Sequence, residues 1–179
     1  MSDFLRELVE SGQFAVEGGK IRMLGEYVMV FPSGVMVRLY GLLAKEIGRK
    51  KAEKLMEELG RFQVEAAARR YLERYNFKDM SKEKIYDFTV RILNAIGWGT
   101  VKVTGMDVTK KRAAVVVEGG AFPIKWLLIN GKSSYPIDFW LKGMITEHFA
   151  VIFGGKMKVV EKKCLACGDP YCLFEVSKA

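Results

Sequence analysis

The sequence has only three cysteines and one histidine among its 179 residues, which limits the catalytic chemistry it can support. It contains no Gly-x-Ser-x-Gly motif, no phosphate-binding glycine loop and no dinucleotide fingerprint, so hydrolase, kinase and Rossmann assignments lack their usual support. It also lacks a run of about 18 uncharged apolar residues, so we expect no membrane span. These absences favour a binding or interaction protein over an enzyme.

Linkers rich in proline or serine and internal repeats are missing too, so we predict a single domain over residues 1–179. Hydrophobic periodicity and turn residues divide it into an N-terminal helix with short strands (1–32), a helical region (33–97), and a sheet, a long apolar helix and a cysteine hairpin (98–179). Runs of helices and strands that do not alternate predict an α+β fold, with helices packed on a twisted, mainly antiparallel sheet.

The formal net charge of +8 raises the question of an anionic partner. Basic residues concentrate at 45–54 and 61–74, where glutamates stand between them at helical spacing. This pattern is typical of solvated helix faces with i,i+4 ion pairs, so we expect no nucleic-acid partner. The odd number of cysteines and the absence of an export signal predict a cytoplasmic location.

All three cysteines fall in one C-terminal segment around the turn Gly168-Asp169-Pro170. Cys164 and Cys172 are each four positions from Gly168, and residues equidistant from the middle of a hairpin face each other. The sequence therefore brings two thiols together across the turn. Three interpretations stay open at this point: a metal site, a disulfide, or buried free thiols.

A zinc site needs four ligands, usually from Cys and His and sometimes from Glu or Asp. Glu161, Cys164, Cys167 and Cys172 are four donors in one short segment. Because a strand sends residues three apart to opposite faces, Glu161 and Cys164 can share an ion only if the strand bends near Lys163.

The preceding helical segment offers two further donors, Asp138 and His148. They are ten residues apart, which is about 15 Å along a helix, so they cannot both contact one ion. Asp138 is also explained as a first-turn carboxylate, and His148 as a core residue.

From Pro136 to Phe153 the pattern predicts a helix that is apolar almost all round, as in the centre of a protein or the wall of a cavity. Apolar walls with a few polar groups are typical of small-ligand sites, although the same side chains can simply fill a core. The candidate ligand-binding residues are Trp126, Trp140, Phe149, Phe153 and His148.

The motif Glu161-x-x-Cys164-x-x-Cys167-Gly168-Asp169-Pro170-x-Cys172-x-Phe174 resembles the C-terminal signature of the 4-vinyl reductase domain family. The resemblance extends upstream through the aromatic-rich helix and Gly155, and more weakly through the helices of residues 35–60. It implies a fold shared with a small subunit of the TRAPP vesicle-tethering complex and a tendency to form homodimers. In the family's aromatic sensors it implies zinc held by residues matching Glu161, Cys164 and Cys172 and by an upstream cysteine.

This chain has no upstream cysteine, and Asp138 is the residue closest to that place. Cys167 is the alternative fourth ligand. The phenol-contacting histidine and tryptophan of the sensors have no clear counterparts, because His148 lies in a different segment.

We therefore predict a protein that binds or senses a small hydrophobic molecule and carries a structural zinc ion. Two alternatives remain. A vinyl-tetrapyrrole reductase would need a hydride donor, for which the sequence shows no nucleotide site. An interaction protein like the TRAPP subunit would use its helical face for assembly.

Overall fold

The computed structural model describes residues 3–75 and 80–179, with the backbone alone for residues 69–75. In chain order its elements are α1 (Asp3–Glu10), β1 (Phe14–Glu17), β2 (Lys20–Met23), β3 (Glu26–Val28), α2 (Ser33–Ile47), α3 (Arg49–Tyr75), α4 (Lys82–Ala95), β4 (Thr100–Asp107), β5 (Arg112–Glu118), α5 (Ala121–Asn130), α6 (Phe139–Phe153), β6 (Met157–Lys163), a 3₁₀ turn (Leu165–Cys167) and β7 (Cys172–Lys178). The predicted α+β class is confirmed.

Turn and capping residues set several of these boundaries. Ser81 precedes α4, and its hydroxyl accepts a hydrogen bond from the amide of Lys84 at 3.4 Å. Gly48 has a φ of 83° and a ψ of 149°, a positive-φ conformation that suits glycine, and it separates α2 from α3. Strand β3 is short and ends at Val28.

The larger sheet has the strand order β4-β5-β7-β6, and each neighbouring pair is antiparallel. In β5 the alternate residues Ala113, Val115 and Val117 are buried, whereas Arg112 and Glu118 are exposed. This alternation is what a sheet with one covered face requires. The covered face carries the main core.

Helix α6 is the central element, as its all-round apolar pattern predicts. Its buried residues are Leu141, Gly143, Met144, Ile145, Thr146, Phe149, Ile152 and Phe153. One side of α6 packs against the sheet and the other against α3. The helix begins at Phe139 and not at the predicted Pro136, because Asp138 has a non-helical backbone (φ −87°, ψ 53°).

Helix α3 carries the basic residues that raised the question of an anionic partner. Arg49, Lys54 and Arg61 each form an ion pair with the glutamate four positions away, at 3.2, 3.7 and 3.2 Å. These contacts agree with a solvated helix face; the basic side chains between 69 and 74 lie outside the described part. No helix in the described ranges combines the length and apolar character that crossing a bilayer requires.

The N-terminal elements form a smaller layer beside the main core. Strands β1, β2 and β3 make an antiparallel sheet, and its cluster joins Phe4, Leu8 and Leu24 to Ile92 of α4. An ion pair of 2.6 Å between Glu7 and Arg91 holds α1 to α4 from the surface. This layer is far from the cysteine hairpin in sequence. The buried residues of its cluster are not part of the main core, to which the hairpin belongs.

Candidate functional site

The C-terminal hairpin brings its two outer cysteines together. In the β6–β7 ladder Lys163 pairs with Leu173, so Cys164 and Cys172 stand directly beyond the last pair. Both are buried, and both are free thiols. The predicted meeting of these thiols across the turn is confirmed, since one oxygen of Glu161 and the sulfur atoms of Cys164 and Cys172 all lie within 4.8 Å of one another.

A β-bulge makes this grouping geometrically feasible. Glu161 pairs with Phe174 and Lys163 with Leu173, so β6 advances two residues while β7 advances one. The extra residue, Lys162, offsets the alternation that would otherwise send Glu161 and Cys164 to opposite faces. The bend that the shared site required is therefore present.

Backbone and side-chain hydrogen bonds fix the turn itself. Asp169 accepts a hydrogen bond from the amide of Cys164 at 2.8 Å, and the amide of Leu165 donates to the sulfur of Cys172 at 3.3 Å. Gly168 adopts the left-handed region (φ 94°) that closes the 3₁₀ turn. The hydrogen bond to Cys164 raises the pKa of Cys172, and the amide of Leu165 opposes that rise because it adds positive charge beside the sulfur.

Asp138 joins the cluster from the start of α6. Its amide donates to Oε2 of Glu161 at 3.3 Å, which ties the helix start to β6. Although Asp138 occupies the N-cap position, its side chain makes no capping hydrogen bond. Both of its carboxylate oxygens, and Oε1 of Glu161, are buried and have no hydrogen-bond partner. Buried polar atoms without partners cost about 1–3 kcal/mol each, so this arrangement needs a cation or protons.

The pKa values of the four acidic groups also indicate that this cluster needs a cation or protons. Burial raises the pKa of Asp138 to about 8, with a further contribution from Cys164. Burial also raises the pKa of Glu161 to about 10, followed by the effect of Asp138. A hydrogen bond from Cys172 is the main cause that lowers the pKa of Cys164 to about 5, and the same bond raises the pKa of Cys172.

No lysine or arginine among the described residues contributes to these four shifts. Four acidic groups thus share a buried space without a basic partner. A divalent cation would supply the missing positive charge, and carboxylate oxygens and thiolates are donor atoms that zinc accepts.

Cys167 lies at the edge of this cluster. Its thiol is partly exposed, and burial together with Cys164 raises its pKa to about 11. Like Asp138, it does not belong to the group of mutually close donor atoms formed by Glu161, Cys164 and Cys172.

The predicted ligand-binding residues divide between two regions. His148 and Phe149 line small apolar cavities between the helices and the sheet. Trp140 instead donates from Nε1 to Gln63 on α3 at 2.7 Å, and Trp126 packs on Tyr40 with ring centroids 5.7 Å apart. Phe153 packs on Phe149 at 5.2 Å. The structure does not bring the two tryptophans and His148 around one space.

Two adjoining cavities share His148 and Thr89. One has a volume of about 20 Å³ and is lined by Val64, Ala67, Ala68, Ile85, Phe88, Thr89, Ile92, His148 and Val151. The other has about 10 Å³ and is lined by Tyr86, Thr89, Val90, Leu93, Val101, Val103, Val115, Ile145, His148, Phe149 and Ile152. Each is about the size that one water molecule needs, so a larger ligand must displace side chains.

Sequence reasoning missed the cavity residues that α3, α4 and the strands contribute. Their apolar positions predict core faces, but no local pattern distinguishes a face that fills a core from one that leaves a cavity. Thr89 was the available signal, as a polar residue next to Ile85, Phe88 and Ile92 on the apolar face of α4.

No family model matches the chain, and neither does any curated protein. Its fold matches that of the phenol-responsive sensory domain of the transcription activator PoxR with phenol, at 14% identity and a TM-score of 0.82, covering 99% of this chain and 92% of that one. It also resembles a trafficking protein particle complex subunit 3 from Naegleria fowleri covalently bound to palmitic acid (12% identity, TM-score 0.56, covering 81% and 93%). An H-NOX protein from S. oneidensis gives 12% identity and a TM-score of 0.52, covering 97% and 87%.

At sequence identities this low, the three structures show that the fold is shared and nothing more. The expected fold shared with a TRAPP subunit is confirmed.

Proposed function

We propose that this chain is a sensory or binding domain of the 4-vinyl reductase type, which encloses a small hydrophobic molecule next to His148. The observation that carries the proposal is the pair of apolar cavities that meet at this single histidine. The fold shared with a domain that binds phenol supports it. Small-ligand sites combine apolar walls with very few polar groups, and this interior has that character.

The ligand site lies where several elements meet. Helices α3, α4 and α6 and strands β4 and β5 all contribute lining residues, so a bound molecule would contact most of the main core. Since the cavities are small, binding requires side chains of α4 and α6 to adjust around the ligand. A compact molecule fits such a site better than a tetrapyrrole or a long chain.

We also propose that Asp138, Glu161, Cys164 and Cys172 hold a structural zinc ion. Glu161, Cys164 and Cys172 supply the three mutually close donor atoms. The buried, unpartnered oxygens of Asp138 support it as the fourth ligand over Cys167. Four protein ligands leave no open position for water, so the role is structural. Such a site would tie the start of α6 to the hairpin, and α6 carries the cavity residues.

Elemental analysis tests the metal site. Protein purified without chelator should contain one zinc per chain, and a Cys164→Ala, Cys172→Ala variant should contain none and melt at a lower temperature. Cys167→Ser is the matched control and should keep the metal, whereas Asp138→Asn should lose it. Zinc retained in the double variant, or lost only in Cys167→Ser, would rule out this ligand set.

Ligand binding is tested by the melting temperature of the metal-loaded chain with added compounds. A ligand present at a hundred times its Kd adds about 2.7 kcal/mol to the free energy of unfolding. We expect compact one- and two-ring molecules to raise the melting temperature. The proposal would be lost if none of a panel of aromatics, alicyclics, fatty acids and tetrapyrroles produced a shift.

We further propose that the chain forms a homodimer through α2 and α5. Val35, Leu39 and Leu42 follow an i, i+4, i+7 stripe on α2 and are 51%, 37% and 44% exposed. Helix α5, which packs on α2, exposes Leu128 and Ile129. Exposed apolar stripes on two adjacent helices are typical of an interface between protein chains. The predicted cytoplasmic location remains a proposal alongside this one.

A further inference from the structure

We propose that the free edge of β6 is a docking site for an extended acidic peptide segment of a partner protein, which would join the larger sheet as an additional strand. This interaction surface goes beyond the proposed function, because β6 lines neither of the two apolar cavities. The proposal follows from the backbone of β6, from the cleft beside it and from the charges along its exposed face.

The larger sheet has two edge strands, β4 and β6, and helix α4 protects the edge of β4. Asn94 of α4 accepts a hydrogen bond from the amide of Val101 at 2.6 Å and donates to its carbonyl oxygen at 3.3 Å. The hydroxyl of Tyr86, also on α4, donates to the carbonyl oxygen of Val103 at 3.5 Å. Side chains thus satisfy the outward-facing backbone of β4, and covering an edge in this way prevents it from pairing with another chain.

The backbone of β6 presents its outer edge to a cleft instead. The amide of Ala179, at the end of β7, donates to the carbonyl oxygen of Lys156 at 3.2 Å, so this carbonyl points toward β7. Residues of an antiparallel strand alternate between those that bond their neighbour and those that do not. Met157 and Val159 therefore direct their N–H and C=O groups away from β7. Among the described residues, nothing outside the sheet forms a hydrogen bond with these groups.

The cleft beside this edge has room for one extended segment. Its walls include five consecutive residues of β6, 157–161, and four residues of α3 at intervals of four, Arg49, Glu53, Glu57 and Arg61. Consecutive strand residues line one space only along the edge, since their side chains alternate between faces. Five residues of a strand that fills about 4.8 Å by 10 Å in cross-section need about 800 Å³. The cleft has a volume of about 670 Å³, which accommodates most of one strand and not two.

The charges along the edge favour an acidic segment. Lys156, Lys158 and Lys162 stand at alternate positions and are exposed. Lys162 forms an ion pair with Glu175 at 3.5 Å, whereas Lys156 and Lys158 have no ion pair with any described residue. Carboxylates at alternate positions of an added strand would face these lysines, and opposite charges on neighbouring strands stabilise their pairing.

The intervening positions of the added strand favour apolar side chains, because they would lie between β6 and the helices. Met157 and Val159 point to the covered face of the sheet and are 5% and 4% exposed. The charges on the helices are already paired there, since Glu57 binds both Arg61 at 3.2 Å and Lys142 at 2.8 Å. A segment in which acidic and apolar residues alternate is therefore the one that fits this edge.

A second copy of β6 fits the same edge poorly. Pairing of two copies would place Lys156, Lys158 and Lys162 of both chains along one exposed seam, and like charges on adjoining strands destabilise their pairing. The bulge at Lys162 also interrupts the regular edge. Lysines and bulges on an edge strand are common protections against self-association. They leave the edge available to a segment of opposite charge.

A synthetic peptide tests the proposal on the unaltered protein. The probe is a fluorescein-labelled octapeptide in which glutamate and valine alternate, and the comparison peptide has lysine in place of glutamate. In fluorescence anisotropy we expect the acidic peptide to bind at least about tenfold more tightly, and added salt to weaken its binding because the lysines are exposed. Absence of binding by the acidic peptide, or equal binding of the two, would overturn the proposal.

Hydrogen exchange of backbone amides, followed by NMR, locates the binding. In the free protein the amides of Met157 and Val159 should exchange fast, and those of Lys158 and Val160, which bond to β7, should exchange slowly. The acidic peptide should slow exchange of the first pair by about tenfold or more and leave the second pair nearly unchanged. Slow exchange of Met157 and Val159 without peptide would mean that a second copy or another part of the chain already covers the edge. That result, or protection only at other amides, would contradict the proposed site.

Two charge-reversal variants separate this site from general attraction to a basic protein. Lys158→Glu should weaken binding of the acidic peptide by about fivefold and improve binding of the basic one. Lys84→Glu makes the same change in net charge on the exposed first turn of α4 and should leave both affinities almost unchanged. An equal loss in the two variants would show that the peptide responds only to the net charge. Because the probe needs no small ligand, a negative result would leave the ligand-binding function standing.

Discussion

Gly60 of α3 and Gly143 of α6 lie where the two helices touch backbone to backbone. A Cβ at Gly60 would overlap the carbonyl oxygen of Trp140, and a Cβ at Gly143 would overlap that of Glu57. Each carbonyl belongs to the residue three positions before the other glycine, so the contact is nearly symmetric. It holds α6, which carries His148 and begins beside Asp138, at a fixed distance from α3.

We expect Gly143→Ala to destabilise the protein by about 3 kcal/mol or more. Overpacking of a core usually costs about 1–3 kcal/mol when side chains can adjust, and here the obstacle is backbone. Urea unfolding followed by circular dichroism measures the effect, and Gly60→Ala should behave in the same way.

Gly41 provides the control for this experiment. It lies on the exposed face of α2, and a Cβ there would meet nothing within 4 Å. Gly41→Ala should therefore stabilise the protein by about 0.5–1 kcal/mol through helix propensity. Similar unfolding midpoints for Gly143→Ala and Gly41→Ala would contradict this prediction, because they would show that α3 and α6 can move apart without loss of stability.

The cysteine hairpin illustrates what the sequence can predict. The equal spacing of Cys164 and Cys172 from the turn is enough to place them together, because hairpin pairing follows from chain geometry. The bulge at Lys162 could be stated only as a condition, since no glycine or proline marks it. Its position depends on how β6 pairs with β7, which is tertiary information.

The ligand site was less predictable. The apolar pattern identified α6 as the central helix, and His148 and Phe149 do face cavities. Aromatic character alone could not tell that Trp140 turns toward Gln63 on α3 or that Trp126 packs on Tyr40. A cavity arises from how several elements fail to fill a space, and no single segment encodes that.

The exposed apolar stripe on α2 leads to a prediction about assembly. If two copies meet through α2 and α5, the chain should have twice its mass of 20.3 kDa in light scattering after gel filtration. Leu39→Glu and Leu128→Glu should each shift the mass to that of one chain, because a charge buried in an apolar contact is costly.

Val160→Glu is the matched control for this test. Val160 is 37% exposed, as is Leu39, but it lies on β6 and outside the proposed interface. The variant should remain dimeric. A single-chain mass for the unaltered protein, or dimers that persist in both leucine variants, would contradict the proposed interface.

His148 should make stability depend on pH in a defined window. Its pKa is lowered from 6.5 to about 4 in the folded protein because burial disfavours the imidazolium. Between these values the unfolded chain binds a proton that the folded chain does not, so the free energy of unfolding falls as pH falls. Well above pH 6.5 both states are neutral at this residue, and the stability contribution is constant.

The size of this effect follows from the shift. Each pK unit corresponds to about 1.36 kcal/mol, so His148 can lower the free energy of unfolding by about 3 kcal/mol at most between pH 6.5 and pH 4. His148→Gln removes the titrating group and should remove this part of the dependence. Because the raised pKa values of Asp138 and Glu161 act in the opposite direction, the quantity to compare is the difference between variant and unaltered protein at each pH. That difference should grow in favour of the variant as pH falls from 6.5, and a constant difference down to pH 4.5 would mean that the imidazole reaches water in the folded state.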